Sequence, residues 1–308
     1  MRPYIQILLL SIVCILNNQC HSNSQNSASK TPKHEAKKEH VKKLNSNRPN
    51  LNISLFLDLS DRISPSKHPN QTMEYYQRDL GYISSIATAF NVHIRNKKII
   101  QMNDRMQVFF DPPPSNPKIN GLAKKLKIEL TKENVTREIL STITSNYKNF
   151  SKQIYELAIT DNKYIGSDIW RFFKSNANTY CIKDGYRNVL IIFTDGYVYH
   201  KDTRLREGNK RSYLTTKVIE SLGLNTSNWK HELTAKEYGF LAPTNGLSEL
   251  EVLVLGINPS RNNPYEEDVI KAYWENWLKE MGVQKFLLRT TDLPSNLDEV
   301  IQNFLLHS

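Results

Sequence analysis

Three short, mostly apolar runs constrain this chain more than any other feature. They are Leu51 to Leu57 (LNISLFL), Val189 to Phe193 (VLIIF) and Leu250 to Ile257 (LEVLVLGI). Each is too short for a buried helix and too continuous for a strand with one wet face, so each reads as a strand buried on both faces. Helical patterns lie between and after them. From Met73, apolar residues recur at Tyr76, Leu80, Ile83, Ala87 and Phe90, in steps of three and four. Ile139, Ile143, Tyr147, Phe150, Ile154 and Leu157 repeat that stripe, and Asp268 to Met281 turns Val269, Tyr273 and Trp277 inward. Strands alternating with helices predict an α/β fold: a doubly wound, mostly parallel sheet with helices on both faces.

The remaining elements fit the same frame. Lys98 to Met102 and Met106 to Phe110 read as strand pieces, stopped by Asp111-Pro112-Pro113-Pro114 because proline cannot continue a ladder. Segment 115–163 reads as mostly helical. Phe286 to Leu288 reads as a last strand and Leu297 to Leu306 as a closing helix. Trp170, Trp274 and Trp277 fall within predicted helices and are expected in the core. Trp229 and Tyr238 read either as buried or as partner anchors.

Right-handed crossovers put the C-terminal ends of parallel strands at one edge, and ligands of such sheets bind there, where strand order reverses. Asp58 and Asp195 each follow an apolar strand, so both belong to that edge. Ser60 lies two residues past Asp58. Gly166-Ser167-Asp168 precedes the helical run Ile169-Trp170-Arg171-Phe172-Phe173, with Ser167 or Asp168 as its cap.

The first fifty residues differ in kind. Tyr4 to Leu16 is apolar with Arg2 before it, too short to span a bilayer but suited to a secretory signal. Cys20 closes the stretch and a polar run follows, a layout that resembles a bacterial lipoprotein signal with Cys20 as the lipidated residue. Asn17-Asn18-Gln19 departs from the small and leucine residues that family prefers, and an ordinary signal is the alternative. Residues 1–20 are thus expected to be a signal, 21–50 a flexible polar tether, and 51–308 the folded domain, exported to the cell envelope and held at a membrane. The three cysteines include no C-x-x-C pair, and Cys181 reads as a buried small hydrophobe.

The formal charge of +10 invites a nucleic-acid reading. Half of it lies in the tether, where Lys30, Lys33, Lys37, Lys38, Lys42, Lys43 and Arg48 outweigh Glu35 and Glu39. The folded part is then mildly basic, and its aromatics do not interleave with basic residues, which argues against nucleic acid. A basic tether suits anionic headgroups instead.

Asp58-x-Ser60 after the first strand, Gly166-Ser167-Asp168-Ile169 before a helix, and Thr194-Asp195-Gly196 after VLIIF resemble, in order, the three parts of a von Willebrand factor type A domain. The resemblance covers about 51–308, with long extra segments near 115–163 and 197–248. It implies a Rossmann-like fold carrying a metal-ion-dependent adhesion site. Ser60 and Ser167 would ligate Mg²⁺ or Mn²⁺ directly, Asp58 and Asp195 would hold water ligands or the ion itself, and a carboxylate of a protein partner would complete the shell. The chain departs at position 62, where the family's second serine is replaced by Arg62. A guanidinium cannot ligate a cation. The site is therefore either weakened, with Asp61 as a replacement ligand, or metal-free with Arg62 paired to Asp58 and Asp195. Downstream, Lys201, Arg204, Arg206, Lys210 and Arg211 read either as a basic lip selecting an acidic partner or as a solvated loop. Asp61, Arg62, Asp168, Lys201, Arg204 and Arg206 make up the expected binding rim.

Enzyme signatures are sparse. The chain has eleven glycines and neither G-x-G-x-x-G nor G-x-x-x-x-G-K-[ST]. No G-x-S-x-G elbow occurs, and His34-Glu35 and His231-Glu232 lack the second histidine of H-E-x-x-H. Ser60 stands where a haloacid-dehalogenase-like phosphatase has its second acid. The expected role is therefore an envelope-anchored module binding a protein. A Mg²⁺-dependent phosphoester or nucleic-acid-processing enzyme using the same acids is the alternative, and a scaffold with a vestigial site is the third reading.

Overall fold

The computed structural model describes residues 48–164 and 166–307. The expected signal, Cys20 and the tether up to residue 47 lie outside the described residues. Six strands form one sheet: β1 (Asn50–Leu57), β2 (Asn103–Phe109), β3 (Ile128–Thr131), β4 (Tyr186–Phe193), β5 (Leu250–Ile257) and β6 (Lys285–Thr290). Their spatial order is β3-β2-β1-β4-β5-β6. Every neighbouring pair is parallel except β2 with β3. The chain runs outward from β1 to β2 and β3, returns to β4, then continues the other way.

The three apolar runs form the central strands because side chains alternate between two buried faces. Leu51, Ile53, Leu55 and Leu57 of β1, with Val189, Ile191 and Phe193 of β4, pack under α1 (Tyr75–Arg95), α3 (Arg137–Asp161) and α8 (Pro294–Leu306). Phe56, Leu190, Ile192, Val252 and Val254 face the opposite way. They meet α4 (Ile169–Phe172), the π-type turns Phe173–Cys181 that continue it, and α7 (Glu266–Glu280). Trp170, Trp274 and Trp277 are all buried on this second face. Cys181 is buried there too, and burial pushes its thiol up to about 12, which leaves it unreactive at neutral pH.

One local expectation fails and another holds with one element missed, each for an identifiable reason. Ile99–Gln101 is a 3₁₀ turn, and the strand begins at Asn103, five residues later than Lys98–Met102 implies. Ile99 and Ile100 are exposed, so their apolarity does not report a core. Segment 115–163 holds α2 (Pro117–Lys125) and α3 but also β3, an antiparallel edge strand. Four residues with Glu129 between two apolar positions leave too little periodicity to separate strand from helix.

Segment 197–248 forms short strands at Arg206–Glu207, Lys210–Arg211 and Gly239–Phe240, with helices α5 (Thr216–Ser221) and α6 (Trp229–Ala235). Val198, Leu214, Ile219, Leu233 and Phe240 bury it against the second face, with Trp229 and Tyr238 partly buried beside them. No helix among the described residues is long and apolar enough to cross a membrane.

Candidate functional site

The site is built where β1 and β4 end. Leu57 pairs with Phe193, and the Asp58 amide donates to the Phe193 carbonyl at 3.1 Å, so the strand ends are level. The loops then part, because β1 leads to β2 on one side and β4 to β5 on the other. This divergence opens a crevice at the sheet edge.

Asp58, Ser60, Ser167 and Asp195 all line one cleft there, of about 380 Å³. Asp61, Tyr164, Tyr197, Tyr199, His200 and Lys201 line it as well. Asp58 is buried and both of its oxygens are engaged. Oδ1 accepts the Ser60 amide at 2.9 Å and Oδ2 accepts the Thr194 hydroxyl at 3.4 Å. Asp195 Oδ1 accepts the Tyr197 amide at 3.1 Å. Gly196 next to it has φ +94, and a Cβ there would lie 2.8 Å from Ile270 Cγ2, so only glycine lets the strand turn this sharply. Burial, with Asp58 nearby, pushes the Asp195 carboxyl up to about 7, and Arg62 works against that rise.

Ser167 enters from the loop between α3 and α4. Gly166, at φ +78, turns that loop, and the Asp168 amide donates to the Asp111 carbonyl at 2.6 Å. Asp168 is the cap of α4, accepting the Arg171 amide at 2.9 Å. It also takes the Thr203 hydroxyl and lies 3.4 Å from His200 Nδ1. Asp168 is thus a buried anchor behind the cleft and not part of its lining. The same anchor includes Arg171, which donates from Nε to Asp111 Oδ1 at 2.9 Å. Lys201 stands exposed at the cleft, whereas Arg204 and Arg206 are exposed outside its lining.

Arg62 does not enter the cleft. The 3₁₀ turn Asp61–Ile63 folds it inward, where it is 5% exposed. Its Nη2 donates to Asp79 Oδ2 at 2.6 Å and to the Phe193 carbonyl at 3.2 Å, and Nε lies 3.5 Å from Asp58 Oδ2. Arg62 therefore meets Asp58, but its second carboxylate is Asp79 on α1 and not Asp195. Tyr155 on α3 donates to Asp79 Oδ2 at 2.9 Å. Burial and Asp79 together raise the Tyr155 phenol well above its ordinary value, which keeps it a donor. Removing this one neutral-to-charged bond in Tyr155→Phe is expected to cost about 1–2 kcal/mol in urea unfolding, without loss of the fold.

Asp79 and Tyr155 escape a motif search because they come from helices distant in sequence. One signal does exist. Asp79 stands three residues after Tyr76 and four before Ile83, within the apolar stripe of α1. A carboxylate in such a stripe must find a buried partner.

The oxygen donors are those of a hard-cation site, since Mg²⁺ takes octahedral oxygen coordination and keeps several waters beside one or two carboxylates. Both Asp58 oxygens accept hydrogen bonds, and position 62 carries a guanidinium where the resemblance implies a hydroxyl. Among the described residues no group of three or more His, Cys, Asp or Glu is arranged to hold an ion. In the cleft, the hydroxyls of Ser60 and Ser167 make no hydrogen bond among the described residues, so neither is paired with a base there.

No protein-family model matches the chain, and no curated protein matches it. Among solved structures it is similar to the pilus adhesin SpaC from Lactobacillus rhamnosus GG, at 11% identity and a TM-score of 0.40. That likeness covers 86% of this chain and 31% of the adhesin. A second structure of SpaC, in an open conformation, is similar at 12% identity and a TM-score of 0.40, over 86% of this chain and 30% of that one. The chain spans less than a third of the length of these structures.

Proposed function

We propose that this chain is a von Willebrand factor type A-like binding module, held at the cell envelope by its N-terminal segment, that receives a protein partner in the cleft at the β1–β4 edge. One observation carries the reading. Three loops far apart in sequence bring Asp58 and Ser60, Ser167, and Asp195 to one crevice where strand order reverses. The order β3-β2-β1-β4-β5-β6, with β3 antiparallel, supports reading the sheet as Rossmann-like, and in open α/β sheets ligands bind in such a crevice. Residues 51–308 form the module in this reading, segments 115–163 and 197–248 are its insertions, and Cys20 is the lipid-bearing residue.

The surroundings favour binding over turnover. The carboxylates are held by backbone amides and by Arg62 from behind, and among the described residues neither Ser60 nor Ser167 hydrogen-bonds a base. The lip that carries Lys201, Arg204 and Arg206 gives an acidic partner surface a matching edge.

A photo-crosslinker tests this reading. Tyr199 is 45% exposed at the cleft, and Ile100 is 76% exposed just before β2, at the opposite end of the strands. The full chain carrying a benzophenone side chain at position 199 should give a discrete adduct in its native envelope, and one carrying it at position 100 should not. Ser167→Ala combined with Asp195→Ala should abolish the adduct while the protein remains folded. An adduct that survives this double change removes the cleft from the interaction. Phosphoester turnover lost in a folded Asp58→Asn variant would favour the enzyme instead.

A further inference from the structure

Building on the reading of an envelope-anchored module, we propose that the end of the domain where the chain enters it docks on the membrane, with Ile99 and Ile100 seated among the headgroups of an anionic phospholipid surface. The first ground is exposure. Of the large aliphatic side chains exposed among the described residues, Leu205 alone stands elsewhere. Val92 is in the last turn of α1, Ile99 and Ile100 are in the 3₁₀ turn before β2, and Ile139 is in the first turn of α3. The Asn91 side chain donates to the Leu140 carbonyl at 3.2 Å, which holds those two helix ends together. Ile99 is 60% exposed and Ile100 76%. One exposed apolar side chain is ordinary, but two adjacent ones at a loop tip offer an apolar surface to something outside the fold.

The second ground is where the chain comes in. Asn52 pairs with Arg105, so β1 and β2 start level, and the turn Ile99–Gln101 leads straight into β2. A buried staple fixes the turn there. Lys97 Nζ donates to Asn50 Oδ1 and to Asp104 Oδ2, both at 2.7 Å. Asp104 Oδ1 accepts the Leu51 amide at 2.8 Å and lies 3.2 Å from His93 Nε2. His93, Lys97 and Asp104 are all buried. The start of β1 and the exposed isoleucines are therefore held side by side. An anchor N-terminal to Asn50 offers lipid to this end first, because a tether raises local concentration most near its attachment.

The third ground is charge. Arg95, Lys98, Lys132 and Arg137 are exposed at this end against Glu133 and Glu138, an excess of cations. Lys42, Lys43 and Arg48 precede Asn50 within eight residues. Two isoleucines alone hold a surface weakly, and basic residues strengthen the hold where the lipid is anionic. Docking by this end leaves the cleft, at the other end of the strands, open to its partner.

The experiment uses the full chain in vesicles of phosphatidylethanolamine and phosphatidylglycerol, with a benzophenone side chain at position 100 or at position 205. Leu205 is the matched control, 43% exposed between Arg204 and Arg206. Illumination should give an adduct of lipid mass at position 100 about ten-fold more often than at position 205. Mass separates this product from the protein adduct expected at position 199. The lipid adduct should fall about ten-fold in phosphatidylcholine vesicles, and as far in Arg95→Glu combined with Lys98→Glu. Equal lipid adducts at the two positions overturn the docking proposal, and so does a lipid adduct that persists unchanged in phosphatidylcholine. A cross-linked dimer at position 100 assigns the isoleucines to a second copy and also overturns it. If the chain floats with the vesicles but position 100 gives no lipid adduct, docking alone falls. If the chain does not float with them, the anchor reading falls as well.

Discussion

Arg62→Met should lower the stability of the folded domain by about 3–5 kcal/mol, the cost of removing one partner from a buried ion pair. Methionine keeps the stem and deletes the head. Asp79 is then left 1% exposed with Tyr155 as its remaining side-chain donor among the described residues, and Asp58 loses the charge 3.5 Å away. The Phe193 carbonyl loses a donor as well. The loss should depend on pH. Burial already pushes the Asp79 carboxyl upward against the pull of Arg62. Without that pull its folded value rises further above the unfolded one, so the variant loses stability as pH rises and recovers part of it in mild acid. Urea unfolding at pH 5 and pH 8 measures both effects. Arg62→Met with Asp79→Leu should regain most of the loss, because an apolar pair leaves no orphaned charge. A single-variant loss below about 1 kcal/mol would mean that the guanidinium is not the keystone of this network.

Asp195→Asn should do the opposite and stabilise the protein. The carboxyl titrates near 7 in the folded state against 3.8 for an unperturbed one. Between those values the folded state holds a proton that the unfolded state has released, so wild-type stability falls as pH climbs through this window. Asparagine keeps the acceptor for the Tyr197 amide and carries no charge to bury. The gain should reach about 1–2 kcal/mol at pH 8, less than the full shift implies because solvent at the open side of the cleft screens the charge. It should shrink toward zero as pH falls toward 4. A residue whose removal stabilises the fold while binding is lost is retained for function. A destabilised Asp195→Asn protein at pH 8 would instead make Asp195 a structural residue.

Much of the architecture was legible because it rests on local pattern. LNISLFL, VLIIF and LEVLVLGI could be buried only as central strands, and the stripe through Tyr76, Leu80, Ile83, Ala87 and Phe90 could be covered only by packing one face of a helix. Strand ends carrying Asp58 and Asp195 then had to share an edge. Elements without a strong period escaped, as β3 did with four residues and as the turn at Ile99–Gln101 did with two exposed isoleucines.

The amino-acid sequence by itself determined the mixed α/β class, the central strands and the placing of two acids and two serines on one rim. Tertiary structure alone decided what those groups do to one another. Position 62 announced a guanidinium, yet nothing in the sequence stated that it would turn beneath Asp58 to meet Asp79 and Tyr155. Nor did it state that Asp195, alone of the cleft's carboxylates, would make no ion pair among the described residues. Periodicity is a property of neighbours along the chain. Charge pairing is a property of neighbours in space, set by how α1 and α3 close over the ends of β1 and β4.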